Sequence, residues 1–315
     1  MILVTGSAGY IGSQITEYFE KNNINYIGID NFLYSIPANI TNKKRFIKTD
    51  FKDSKKITKI IKKFNIDTII HCAAASYVLE GESKKKKYIK NNYKNTIIFI
   101  NVCKKNFVKN FIFLSSSNVY SQSNMSYRED SKKKPKNIYG KTKLRIENYL
   151  LTRKFESVII LRLFNIIGLI KKFYTPNKIN RKYQRLITNL FNSTKKKEIT
   201  IRYKKKGNKN IYPSRDFLDI RDFLIFIKKI IYLLKKNKIN KIILNLGSGK
   251  TTSINKVIYL CKKKFNLNIK LNFIEISNKE IMITQANISK SKKAIKWNPR
   301  IKILSSLKSY SNFLK

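Results

Sequence analysis

Tyr139 and Lys143, in Tyr139-Gly-Lys-Thr-Lys143, carry the clearest potential for chemistry in this chain. Residues four apart share one face of a helix, so an ammonium can stand beside a phenol there. A free phenol titrates near 10. Proton transfer near neutrality therefore needs a shift of roughly 3 units, or about 4 kcal/mol of preferential stabilisation of the phenolate. A neighbouring cation supplies stabilisation of that kind. Among 18 tyrosines a single helical tyrosine is ordinarily a surface residue. The catalytic reading rests on Lys143, the serine run Ser115-Ser116-Ser117 and a glycine cluster taken together.

That cluster is Gly6-x-x-Gly9-x-x-Gly12, three of only 10 glycines in 315 residues. It follows an apolar, β-branched run at 1–5 and opens a segment with helical apolar spacing from Tyr10. A strand-to-helix turn of this kind needs positive φ, a backbone that phosphates can approach without a Cβ, and the free N–H groups of a helix start. Asp30 ends the second apolar run, about 20 residues on, where a carboxylate accepts both hydroxyls of a ribose and repels a 2′-phosphate. The pattern predicts a dinucleotide site that prefers NAD to NADP. A bare tight turn and a strand-end aspartate are the plainer alternatives.

The elements that must position these groups follow from the apolar pattern. Strand candidates lie at 26–29, 45–49, 68–71, 111–115 and 157–162, with helix-length segments at 53–64, 84–105 and 138–154. Strands alternating with helices, several of them apolar throughout, predict an α/β fold: a Rossmann-type doubly wound parallel sheet over residues 1–165. The rhythm loosens beyond Gly168, through a polar stretch at 174–182. A smaller C-terminal α/β domain is expected over 166–315, with some segments packing back on the first.

Composition narrows the classes. Lys and Arg total 68 against 18 Asp and Glu, a net charge of +50, which by itself suggests a polyanion partner. The excess is mostly lysine in runs at 84–87, 132–134, 195–197 and 204–206, among abundant Ile, Asn, Tyr and Phe, residues that share A/T-rich codons. Arginine contributes 11 of the 68, so bidentate phosphate or base readout is not favoured. No dedicated nucleic-acid site is expected. Cys72, Cys103 and Cys261 are scattered and odd in number, which argues against disulfides and a zinc site, and no metal is expected. No apolar run approaches the roughly 18 residues of a membrane helix, so a cytoplasmic protein without membrane attachment is expected.

The glycine cluster, the serine run and Tyr139-x-x-x-Lys143 together resemble the extended short-chain dehydrogenase/reductase family, and within it the UDP-glucose 4-epimerases. The similarity runs in order through Asp30-Asn31, Asp50-Phe51, His71-Cys-Ala-Ala74, Gly81-Glu-Ser83, Asn91-Asn92, Arg162-Leu-Phe-Asn165, Arg215-Asp216 and Asn245-Leu-Gly-Ser-Gly249. The resemblance implies NAD-dependent epimerisation of a UDP-hexose at C4, UDP-glucose to UDP-galactose, through a transient 4-keto intermediate. It implies Tyr139 as base, Lys143 as its cation and Ser116 as hydrogen-bond partner of the reacting hydroxyl, with Ser115 and Ser117 as rivals. Cofactor contacts are implied at Gly6, Gly9, Tyr10, Ile11, Gly12, Asp30, Asn31, Asp50, Phe51, Ala73 and Asn92, and at Tyr139 and Lys143. Contacts to the UDP-sugar are implied at Ser116, Tyr139, Asn165 and Arg215. Asn165 could instead cap a turn, and Arg215 could pair with Asp216 or Asp219. His71, the only histidine, reads as a packed strand-end residue. A homodimer through the helices near 84–105 and 138–154 is also implied, although lysines 84–87 work against that pairing.

The chain departs from the family pattern in places. Leu79-Glu80 is an insertion beside the expected diphosphate loop. Ser277-Asn278-Lys279-Glu280 stands where the family has an arginine, with Lys279 as the available substitute. Thr284 stands where a tyrosine commonly narrows the sugar pocket, which suggests room for an N-acetylated hexose. Ser115–Tyr120 lacks the Asp-Glu pair of the dehydratase branch. Remaining alternatives are a UDP-N-acetylhexosamine or UDP-uronate epimerase, a non-catalytic NAD-binding regulator, and a basic polyanion-binding protein on the same fold.

Overall fold

In the computed structural model, which describes residues 1–121, 126–175, 186–191, 197–206, 209–275 and 282–314, the apolar runs fold as strands, all but the edge strand Phe46–Lys48 buried on both faces. They are β1 (Ile2–Thr5), β2 (Tyr26–Asp30), β3 (Phe46–Lys48), β4 (Thr68–His71), β5 (Asn110–Ser116) and β6 (Ser157–Leu163). There follow β7 (Asn165–Ile167), β8 (Lys197–Lys206), β9 (Lys209–Ile211), β10 (Ser214–Asp219), β11 (Lys241–Leu246), β12 (Thr251–Ser253), β13 (Ile269–Glu275) and β14 (Ile283–Thr284). The α-helices are α1 (Tyr10–Lys21), α2 (Ser54–Lys63), α3 (Val78–Ser83), α4 (Lys85–Tyr88), α5 (Asn95–Lys105) and α6 (Ile138–Leu151). In the second half come α7 (Leu186–Phe191), α8 (Ile220–Lys235), α9 (Ile254–Phe265), α10 (Ser289–Ile295) and α11 (Ile303–Leu314).

The main sheet has seven parallel strands in the order β11-β6-β5-β4-β1-β2-β3. Strand direction and the period of two divide its side chains between two cores. Phe111, Phe113, Val158 and Ile160 face α2, α5 and α6, whereas Ile112, Leu114, Ile159 and Leu161 face the layer that holds α1 and α8. The chain winds away from β1 in both directions, to β2 on one side and β4 on the other. The crevice at the carboxyl ends of β1 and β4 is where such sheets bind ligands.

Two features of the layout go beyond the local pattern. The strand at 241–246, far beyond residue 165, completes the main sheet, pairing from Lys241↔Val158 to Leu246↔Leu163. Its short run gains strand character from that non-local pairing, which no local pattern announces. The helix expected over 84–105 is not one α-helix: α4 and α5 join through a π-helical turn at Ile89–Lys94. Such turns re-aim neighbouring side chains, and this one contains Asn91 and Asn92.

The smaller sheets are built around β10, which pairs with β7 and β14 in parallel and β12 antiparallel, and around β8, flanked by β13 and β9. Residues 176–182 of the polar stretch and Ser277-Asn278-Lys279-Glu280 lie outside the described residues. Among the described residues no helix is long and apolar enough to cross a membrane.

Candidate active site

The glycine turn is built by close backbone approach. Gly6 has φ +66°, and a Cβ there would stand 2.8 Å from the Ala73 backbone. At Gly12 a Cβ would stand 2.1 Å from the Gly6 carbonyl oxygen. Gly9 begins α1 without a side-chain cap, which leaves first-turn N–H groups for an anion. Gly6, Gly9, Tyr10, Ile11 and Gly12 all line one cleft. A pyrophosphate fits this cradle as a side-chain-bearing turn could not.

Asp30, at the end of β2, also lines the cleft. Its carboxylate accepts from Ala8 N at 3.1 Å, Phe32 N at 2.8 Å and Ser35 Oγ at 2.7 Å. These donors fix its orientation while Oδ2, with one partner, keeps room for a hydroxyl. Asn31, Phe51 and Ala73 line the same cleft. Asp50 is not among the lining residues: it accepts from Asn31 Nδ2 at 3.0 Å and pairs with Lys52 at 3.3 Å, so it braces Asn31. Asn92 is buried, its amide exchanging two 2.8 Å bonds with the Ala75 backbone. Its neighbour Asn91 takes the cleft-lining place instead.

Tyr139 and Lys143 line the same cleft. Asn137 caps α6, its Oδ1 accepting from Gly140 N at 2.7 Å, and its Nδ2 donates to Asn118 Oδ1 at 2.9 Å. Gly140 makes that proximity possible, because a Cβ there would lie 2.2 Å from the Asn118 carbonyl oxygen. The helix start and the serine turn are thus docked backbone to backbone. Lys143 Nζ is buried, donates to the Leu114 carbonyl at 2.6 Å, and lies 5.8 Å from the centre of the Tyr139 ring. Burial lowers its pKa to about 8, against the opposing pull of Cys72 and Glu147.

Of the three serines, Ser115 lines the cleft wall but donates its hydroxyl to Glu147. Ser116 Oγ accepts from Asn118 N at 3.2 Å and Asn118 Nδ2 at 3.0 Å. Both bonds use the oxygen as acceptor, which leaves its proton to donate.

Asn165 and Arg215 stand on neighbouring strands, β7 and β10, and neither lines the cleft. Asn165 Nδ2 donates to the Asp216 carbonyl at 3.1 Å. Arg215 donates to the Ser214 and Met282 carbonyls at 2.9 and 3.1 Å and is cross-strand from Thr284. The Asp216 carboxylate is taken up by Ser248, Gly249 and Ala286, and Asp219 by Arg221.

His71 lies buried between Thr5 Oγ1 at 2.8 Å and Thr96 Oγ1 at 3.3 Å, and stacks on Phe99 and Phe113. Burial lowers its pKa to about 3, so it stays neutral. Among the described residues no three His, Cys, Asp or Glu side chains are placed to hold a metal.

Sequence reasoning missed Asn91, Tyr34 and Tyr77 in the cleft wall, and Phe173, Thr175 and Thr188 from the second half. It also missed Glu147 and Arg162 behind the triad. Glu147 has a local signal, four residues after Lys143; the others come together only in the fold.

The sequence profile described as the NAD dependent epimerase/dehydratase family matches residues 2–247. UDP-arabinose 4-epimerase 1 of Arabidopsis thaliana is 27% identical, over 95% of this chain and 75% of that protein. The UDP-glucose 4-epimerase of Pisum sativum is 26% identical, over 95% of this chain and 91% of that protein. Among solved structures, UDP-glucose 4-epimerase from Brucella ovis in complex with NAD superposes with a TM-score of 0.88 at 21% identity, covering 99% of this chain and 98% of that one.

Proposed function

This chain belongs to the NAD-dependent epimerase/dehydratase family, and from that premise we propose that it is a UDP-sugar 4-epimerase that interconverts UDP-glucose and UDP-galactose. The observation that carries the reading is the placement of Tyr139 and Lys143 on the wall of the same cleft as the glycine turn and Asp30. When bound, NAD supplies a reversible hydride acceptor. The residues that would hold it are the glycine turn for the pyrophosphate and Asp30 for the ribose, with Asn31, Phe51 and Ala73 beside them.

The chain's own residues handle the proton and the alignment. Tyr139 as phenolate takes the proton of the sugar 4-hydroxyl and gives it back after the 4-keto sugar has turned. Lys143 stabilises the phenolate, and Ser116 holds the reacting oxygen by donating its free hydroxyl proton. Turning requires a nucleotide that is gripped and a sugar that is not. Asn165 and Arg215 are the residues proposed for that grip, the guanidinium suiting a diphosphate.

A second reading, a UDP-arabinose 4-epimerase, is favoured by relatives such as the Arabidopsis thaliana enzyme. Both reactions invert the same carbon, and the pentose lacks only the C5 hydroxymethyl group. Incubation of the purified protein with UDP-galactose or UDP-arabinose, without added cofactor, separates the two. UDP-glucose as the faster product supports the first reading and UDP-xylose the second. Turnover of neither removes both.

A further inference from the structure

Directly behind the triad lies a fully buried ion pair that the reaction does not use. Arg162 of β6 and Glu147 of α6 are each 1% exposed and meet at 2.7 Å. A second bond runs from Arg162 Nε to Glu147 Oε1 at 3.1 Å. A buried pair of this kind contributes little net stability compared with a well-packed apolar replacement.

Its connections are informative. Three successive residues of β5 are engaged differently: Leu114 O accepts from Lys143, Ser115 donates to Glu147, and Ser116 Oγ accepts from Asn118. Ser115 and Arg162 are cross-strand partners, so they hold Glu147 from adjacent strands. On its far side Arg162 donates to Tyr120 Oη at 2.9 Å, at the end of the turn that begins with Ser116. Tyr120 donates in turn to Asn245 Oδ1 at 2.6 Å, on β11. Burial pushes the Tyr120 pKa up to about 12 despite Arg162, so it remains a donor. From Asn245 the chain of bonds reaches the Tyr127 carbonyl at 2.8 Å. Tyr127 bridges to Ala286, whose N–H holds the Asp216 carboxylate beside Arg215 at 3.0 Å.

We propose that Glu147 and Arg162, acting through Ser115 and Tyr120, are positioning residues that set the register of the Tyr139–Lys143 helix against the Ser116 turn and the Arg215 strand. The inference rests on the epimerase reading for its kinetic consequence. Displacement of a reacting group by about 1 Å can cost on the order of 100-fold in rate, which is the scale the unit would protect.

The test uses the full chain and two variants. Glu147→Leu/Arg162→Met removes both charges and keeps the volume, so its melting temperature should stay close to wild type. Glu147→Gln keeps one oxygen acceptor, enough for Ser115 and Arg162 Nε, but puts an NH2 group against the guanidinium and strands a buried cation, so it should melt lower. The expected kinetics run the other way: kcat falls roughly 10- to 100-fold in the double variant and less in Glu147→Gln. KM and NAD affinity should stay within about threefold in both. Amide exchange over 116–120 and 139–143 should quicken in the double variant, a readout that needs no turnover. A purely structural role would make activity follow melting temperature, and that ranking, or unchanged kcat and exchange in the double variant, overturns the proposal. If the double variant fails to fold, Arg162→Lys takes its place with the same expected separation of kcat from KM. A wild type that turns over no UDP-sugar removes the epimerase reading alone, and the exchange data then decide.

Discussion

The Lys143 ammonium lies 5.8 Å from the centre of the Tyr139 ring, four residues apart on one helix and both on the wall of one cleft. Keeping it there costs stability, because burial holds its pKa at about 8 instead of 10.5. A cation buried at such a cost beside a phenol supports the role proposed for Lys143, the stabilisation of a phenolate.

Removal of the phenol is the most direct chemical consequence. Tyr139→Phe should lower kcat by about 10² to 10⁴, the range for a positioned acid–base group. NAD affinity should change little, because the ring remains. Steady-state turnover and an NAD titration on one preparation check both halves.

Lys143 gives a pH signature. Its folded-state pKa of about 8 lies below the ordinary 10.5, so between those values the unfolded chain binds more protons than the folded one. Stability from this group therefore rises with pH across that window, and the full penalty is present below pH 8. Lys143→Met should be inactive yet melt higher than wild type at pH 7. The difference should shrink as pH rises from 8 to 10.5. Melting curves of the cofactor-free proteins across that range measure it.

Gly12→Ala would place a Cβ 2.1 Å from the Gly6 carbonyl oxygen, which is backbone and cannot swing away. The turn must open, so NAD binding should fall at least tenfold while the far β10 sheet keeps its fold. Cofactor titration with a far-ultraviolet dichroism control checks this.

Thr284 is cross-strand from Arg215 on β14. If this position bounds the sugar pocket, wild type should epimerise UDP-N-acetylglucosamine, and Thr284→Tyr should lose that substrate before UDP-glucose. Kinetics on both sugars for both proteins provide the check.

Much of this arrangement is legible along the chain wherever the signal is local. The Gly6–Gly12 spacing, Asp30 at a strand end and Tyr139 four residues before Lys143 are read within one turn or one strand, and the structure places all of them on one cleft. Asp50 and Asn92 fall differently because their orientation depends on neighbours: Lys52 and Asn31 draw Asp50 aside, and the π-turn directs Asn92 to Ala75 and gives the cleft to Asn91. The strand at 241–246 and the Arg162–Glu147–Tyr120 contacts depend on pairing across 80 or so residues, or between separate layers, which periodicity cannot register.

The central claim is that C4 of a UDP-sugar is inverted in this cleft by removing and restoring the same hydrogen. UDP-galactose carrying deuterium at C4, incubated with the purified protein and no added cofactor, tests it by mass spectrometry of the product. The account predicts UDP-glucose with the deuterium still at C4. Product that has exchanged the label with water, or labelled UDP-galactose left unconverted, would contradict it.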